Sequence, residues 1–248
     1  MSLTVTHPSP TSAPRGLATL LLDVLFSPGE AVQRLAARRR TMLVSLLLFV
    51  AAQAALWVLY YHRVDFDWLR EHLVESAMRR YPQVDPGQLR AGMAATTPTG
   101  LTLSSIVGSL VGVLLLSPLR AAVYNLCGKF VSERDVGFGS WLAVVIWSLL
   151  PQTLGLLGSM VFFSIGDVSH IAPGQLNLSS LNTLWLHLPA SDAWANWANA
   201  LDLLSLWSIA IGAAGFQKLA GLKPVRAWFW AALPHVLLFG GWAALNLR

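Results

Sequence analysis

The chain has 248 residues, 55% of them hydrophobic and only 12% charged, with a mean hydropathy of +0.57. A soluble domain carries about 25% charged residues; half that share cannot cover a water-facing surface, so lipid must cover it instead. The pI near 9.9 reflects 17 Lys and Arg against 12 Asp and Glu. These cations form no basic stripe interleaved with aromatics, which excludes a nucleic-acid partner. They sit in short segments beside apolar runs, where membrane orientation explains them.

Residues 1–16 are polar and rich in Pro, Ser and Thr, and are expected to be a disordered tail. The apolar run 17–26 is short and carries Asp23, and the order of elements is not that of a cleaved signal peptide. Ser27-Pro28-Gly29-Glu30 has the S-x-x-E form of a capping box with proline at the first helical position. The helix it opens carries Val32, Leu35 and Ala36 on one face. Arg34, Arg38, Arg39 and Arg40 are its polar residues. This is the pattern of a cytoplasmic amphipathic helix lying on the membrane, its arginines available to lipid headgroups.

Five apolar stretches follow, at about 41–61, 103–128, 138–163, 202–221 and 225–247. The first has 21 uncharged residues, with Trp57, Tyr60 and Tyr61 marking its far interface. Between it and the second lies a polar loop, 62–101. There Leu69, Leu73, Ala77 and Tyr81 recur every fourth residue, as on an amphipathic helix resting on the bilayer or on neighbouring spans. Pro82 and Pro86-Gly87 break that helix. The second stretch contains Gly108 and Gly112, four apart, which permits close helix–helix approach. Pro118, Pro151 and Pro234 interrupt the second, third and fifth stretches. Residues 164–201 form a second loop without Lys or Arg; Trp185, Trp194 and Trp197 place part of it in the interface.

Orientation follows from the basic residues. With a cytoplasmic N-terminus the inner side holds Arg15, Arg34, Arg38, Arg39, Arg40, Arg120, Lys129, Arg134, Lys218, Lys223 and Arg226, leaving six cations outside. The bias favours N-terminus in and C-terminus out. The expected fold class is therefore an all-α integral membrane protein, a single domain over 17–247. It has five transmembrane helices preceded by a cytoplasmic amphipathic helix.

Three places carry a resemblance. They are Leu25-Phe26-Ser27-Pro28-Gly29-Glu30-Ala31; the stretch from Gly128-Lys129 through Val136-Gly137-Phe138-Gly139-Ser140-Trp141 to Trp147-Ser148-Leu149-Leu150-Pro151; and Leu201-Asp202-Leu203-Leu204-Ser205-Leu206-Trp207 with Gly212 and Gly215 beyond. In these the chain resembles the Yip family of five-span membrane proteins, named for interaction with Ypt/Rab GTPases, and is most similar to its bacterial branch. The resemblance spans about residues 20–247. It implies the fold and a membrane-organising or trafficking-like role, and no chemistry.

Four polar residues stand out within the apolar stretches. A carboxylate inside a bilayer is by default functional, yet Asp202 at the head of its span can cap the helix at the outer interface. Arg120 can snorkel to the cytoplasmic headgroups, or meet a partner such as Gln152 or an acidic lipid. Pro234 leaves the Trp230 carbonyl without its usual donor, and His235 beside it can bond to a neighbouring helix. The prolines mean kinked packing or a broken-helix transport site. Gly108, Gly112, Gly155, Gly158, Gly212 and Gly215 are the expected helix-packing positions. Cys127 is the one cysteine and reads as a small buried hydrophobe. No nucleophile–base motif, phosphate loop or metal-ligand spacing is present, so no enzyme, cofactor or metal is expected. The leading expectation is a scaffold or adaptor in the bacterial inner membrane that engages lipids and other membrane proteins or itself. The alternative is a small proton- or ion-linked transporter or channel, with Arg120, Gln152, Asp202 and His235 on its path.

Overall fold

A computed structural model describes residues 16–190 and 192–247, apart from the side chains of Leu17, Arg39 and Arg80. The expected tail, except Gly16, lies outside the described residues, as does the Arg39 side chain. Eleven α-helices carry the described chain, and its only β-type pairing is an isolated bridge between Ser180 and Asp202.

Helices α1 (Leu17–Phe26) and α2 (Pro28–Ala37) meet at Ser27. Proline starts α2 as expected, but the Ser27 hydroxyl makes no cap bond. Its carbonyl accepts from the Glu30 and Ala31 N–H groups (3.0 and 3.2 Å) instead. The expected surface helix is docked on protein. Ala31, Val32 and Leu35 are fully buried against Val144, Trp147, Ile211 and Ala214. An amphipathic stripe fixes which face is covered but not whether lipid or protein covers it.

Among the described residues, four helices are long and apolar enough to cross a membrane. The first, α3 (Met42–Arg63), has its expected place. The 62–101 loop folds into α4 (Phe66–Arg80) and α5 (Pro86–Ala94). Leu69 is the buried anchor of α4, packed with Tyr60, Tyr61, Val64 and Phe163; Tyr81, at the end of the stripe, is exposed. Pro86 begins a helix rather than only ending one, because Asp85 accepts from the Gln88 N–H (2.9 Å) and caps it.

The second candidate span, α6 (Pro98–Val131), has 34 residues and starts five positions before the expected one. Thr97 caps it through the Gly100 N–H (3.0 Å). The third is interrupted, as α7 (Phe138–Trp147) and α8 (Leu150–Ile165). Arg63 closes the outer end of α8 by donating to the carbonyls of Phe163 (2.9 Å), Ser164 and Gly166 (3.2 Å). A short helix α9 (Ala195–Ala200) precedes α10 (Leu203–Lys218) and the last long helix, α11 (Pro224–Asn246).

The expected fourth span, 202–221, is shortened. Helix α10 has 16 residues, a rise of about 24 Å against a hydrocarbon core of about 30 Å. Its inner end stops before Gly221, whose φ of +72° turns the chain. Half of it is enclosed, with Ser208, Ile209 and Ile211–Phe216 all buried.

Candidate functional site

Pro151 lacks an N–H, so the third span breaks near it and leaves carbonyls seeking donors. Side chains from other helices supply them. Ser45 of α3 donates to the Ile146 carbonyl (3.0 Å). The Ser208 hydroxyl of α10 lies between the Ser148 carbonyl and the Gln152 carboxamide (2.9 Å to the latter). With its amide nitrogen turned toward Ser148, Gln152 also donates to that carbonyl (2.9 Å). The break thereby becomes the junction of α3, α8 and α10.

Arg120 enters this junction from α6. It donates to the Tyr124 hydroxyl from Nε and Nη2 (3.1 and 2.8 Å), to the Ser148 hydroxyl (3.2 Å) and to the Ser208 carbonyl (3.3 Å). The side chain leans inward by one turn, but it ends on Tyr124 rather than at the headgroups. Tyr124 in turn donates to the Ala231 carbonyl of α11 (2.9 Å). Every one of these acceptors is neutral. Among the described residues no carboxylate pairs with Arg120.

Around Tyr124, toward the C-terminal ends of α6 and α10, lies an aromatic plug. Tyr124, Trp141 and Phe216 are fully buried, with ring centroids 5.8, 5.1 and 4.5 Å apart. Glycines make room for it. A Cβ on Gly212 would stand 2.5 Å from the Tyr124 hydroxyl, and one on Gly215 would stand 3.1 Å from Val144. Gly128 gives the same clearance to Trp141 (3.1 Å). Gly155 faces Leu204 (2.5 Å). Gly108, Gly112 and Gly158 have nothing within 4 Å of where a Cβ would stand.

Outward of the plug is a cavity of about 770 Å³ between α3, α6, α8, α10 and α11. Arg120, Gln152, Asp202 and His235 all line it, and so does Gly112. The structure thus brings the four expected polar residues, from α6, α8, α11 and the N-cap of α10, to one cavity. The His235 Nδ1 is buried and has no hydrogen-bond partner among the described residues.

Asp202 caps α10 through the Leu204 N–H (2.9 Å) and accepts from the Ser179 hydroxyl (2.7 Å). Its depth differs from expectation. Leu150 to Ile165 spans α8 and rises about 22 Å. Asp202 stands six residues outward of Ser208, or about 9 Å above the Ser148 level. The contact of Leu204 with Gly155 agrees with this. The cap therefore stands level with the middle of α8. The chain reaches that depth because the segment around 177–181 dips inward with it. The Leu203 N–H donates to the Ser179 carbonyl (2.9 Å) and the Leu181 N–H to the Leu201 carbonyl (2.7 Å). Such pairing satisfies non-helical backbone away from water, and irregular backbone at membrane depth is tolerated where it lines a cavity. Asp202→Ala is expected to lower thermal stability by about 1–3 kcal/mol, since it orphans a buried N–H and a hydroxyl. Asp202→Asn keeps the acceptor and is expected to cost less than half of that. Equal melting of both variants would show that the cap carries nothing.

The headgroup arginines divide. Arg34 forms an ion pair with Asp23 (2.9 Å), while Arg38 and Arg40 are exposed. The residues that sequence reasoning missed are Tyr124, Ser148, Ser179 and Ser208. Tyr124 carried a signal, standing four positions after Arg120 on one helix face. The serines carried none, because their partners are remote in sequence.

With the geometry described, the chain can be set beside known proteins. It is 25% identical over 224 residues to Membrane protein YknW of Bacillus subtilis (strain 168), covering 89% of this chain and 85% of that protein. No solved structure matches it. The family described as Yip1 domain matches residues 22–245. That is nearly the whole helical region, and the chain belongs to the Yip1 family.

Proposed function

We propose that this is a non-enzymatic, five-crossing protein of the bacterial inner membrane, with its N-terminus cytoplasmic and its C-terminus periplasmic. Its 17–247 region is a single domain that acts as a scaffold or adaptor, holding lipids and other membrane proteins, or copies of itself, in a membrane-organising role. The fifth crossing is composite. Helix α10 makes its inner part and the inward-dipping chain around 177–202 makes its outer part. One observation carries the topology: the turn after α6 and the turn after α10 meet. The Ser132 hydroxyl donates to the Ala220 carbonyl (2.7 Å) and Arg134 to the Lys218 carbonyl (3.4 Å), so both turns share one side. The polar groups support a holding role, since Arg120, Gln152 and Asp202 are each bonded across elements.

Cross-linking and co-purification from native membranes test the scaffold. Recovery of a stoichiometric protein partner, or of a defined homo-oligomer, is expected. Recovery of a monomer alone would oppose it.

One observation favours a second reading, a small ion- or proton-linked transporter. All four intramembrane polar residues share one cavity. The buried aromatic plug closes that cavity on the inner side, so transport requires the plug to open. Proton or cation flux into liposomes that falls at least tenfold in Asp202→Asn would favour transport; absence of flux in the native protein would remove it.

A further inference from the structure

The cavity combines two properties that the packing roles above leave unused. The first is a cation without a counter-charge. The bonds of Arg120 go to two hydroxyls and a backbone carbonyl, all neutral. Arg120 is half-buried, and a cation partly withdrawn from water favours an opposite charge beside it. His235 adds a buried ring nitrogen with no partner, lining the same cavity. The carboxylate at the other end, Asp202, is already engaged by the Leu204 N–H and the Ser179 hydroxyl.

The second is a lateral opening. Tyr124 and Ala231 join α6 to α11 at the inner end. Further out, Leu116, Leu119, Leu237 and Leu238 line the cavity and are 54–61% exposed. The gap between these helices is therefore open on the outside of the bundle, along apolar side chains that suit an acyl chain. A volume of about 770 Å³ falls within the roughly 300–1,000 Å³ of sites that enclose small ligands.

We propose that this cavity binds an acidic membrane lipid, with its carboxylate or phosphate on Arg120 and its acyl chain along Leu116, Leu119 and Leu237. A guanidinium suits either head, because its planar fork matches carboxylate and phosphate oxygens. The site is independent of the number of crossings and of any protein partner. Gly112 lines the same cavity with nothing within 4 Å of where its Cβ would be, so a large side chain there would project into the acyl-chain channel.

The test is thermal unfolding of the purified full chain in neutral detergent with added oleic acid, phosphatidic acid or, as the neutral control, phosphatidylcholine. At a hundredfold excess over Kd, an acidic lipid is expected to raise Tm by about 5–10 °C. Phosphatidylcholine is expected to leave it unchanged. Oleic acid acting alone would assign the site to a carboxylate, and phosphatidic acid acting alone would assign it to a phosphate. Arg120→Gln, which keeps hydrogen bonding and removes the charge, is expected to abolish the shift. Gly112→Leu, which fills the channel without touching Arg120, is expected to abolish it as well and serves if Arg120→Gln does not fold. No shift in the native protein, an equal shift with phosphatidylcholine, or a shift retained in both variants would overturn the proposal.

Discussion

Gly212→Leu is expected to destabilise the chain by about 3–5 kcal/mol and to release the last helix from the bundle. Gly212 lies where α10 passes Tyr124, and a Cβ there would sit 2.5 Å from the phenol oxygen. That oxygen cannot yield freely. It accepts from Arg120 and donates to the Ala231 carbonyl, and its ring packs against Trp141 and Phe216. Overpacking a tight core costs about 1–3 kcal/mol by itself. Moving the phenol leaves the Ala231 carbonyl and part of the guanidinium unpaired, for roughly another 1–3 kcal/mol. Gly212→Ala carries the Cβ alone and is expected to cost about 1–3 kcal/mol. Gly108→Leu is expected to stay within about 0.5 kcal/mol of the native protein, since its Cβ position is open. Unfolding in detergent, followed by tryptophan fluorescence, reads all three. If Gly212→Leu and Gly108→Leu melt together, the close approach at Tyr124 is not there.

Leu35→Ala is expected to cost about 2–5 kcal/mol, the ordinary range for emptying a buried leucine site. Leu35 is fully buried and belongs to the cluster that includes Val24, Trp147 and Ile211. A helix resting on lipid would behave otherwise, because the bilayer closes around a shortened side chain and folding stability stays put. Val32→Asp sharpens the contrast. In the docked arrangement it buries an unpaired carboxylate against Trp147 and Val144 and is expected to undo α2 packing altogether. Folding stability unchanged in Leu35→Ala would return α2 to the membrane surface.

What the sequence made legible follows local physics. The ends of α3 and α11 agree with the apolar runs to within a few residues, because charged or aromatic residues close each run. Arg120, Gln152, Asp202 and His235 were readable as a set because polar side chains are rare in such runs. The half-depth of Asp202 was not readable. The apolar run continues through Leu219 and Ala220, so composition extends α10 beyond its last helical residue, Lys218. The inward dip near 177–181 rests on backbone pairing with Leu201 and Leu203, some twenty residues away, and leaves no periodic trace. The glycines show the same limit. Small residues at Gly108 and Gly212 state that something can come close, and only the fold shows that Tyr124 does so at Gly212 while Gly108 is left open.

In the proposed topology α10, short as it is, carries the chain back to the cytoplasmic side. Single cysteines at the exposed positions Gln88 and Lys223, introduced with Cys127→Ala, test it most directly in intact cells with a membrane-impermeant maleimide. Labelling of Gln88→Cys without permeabilisation, and of Lys223→Cys only after it, is the expected result. Reaction of both positions from the same side would contradict the account, because α10 would then fail to cross.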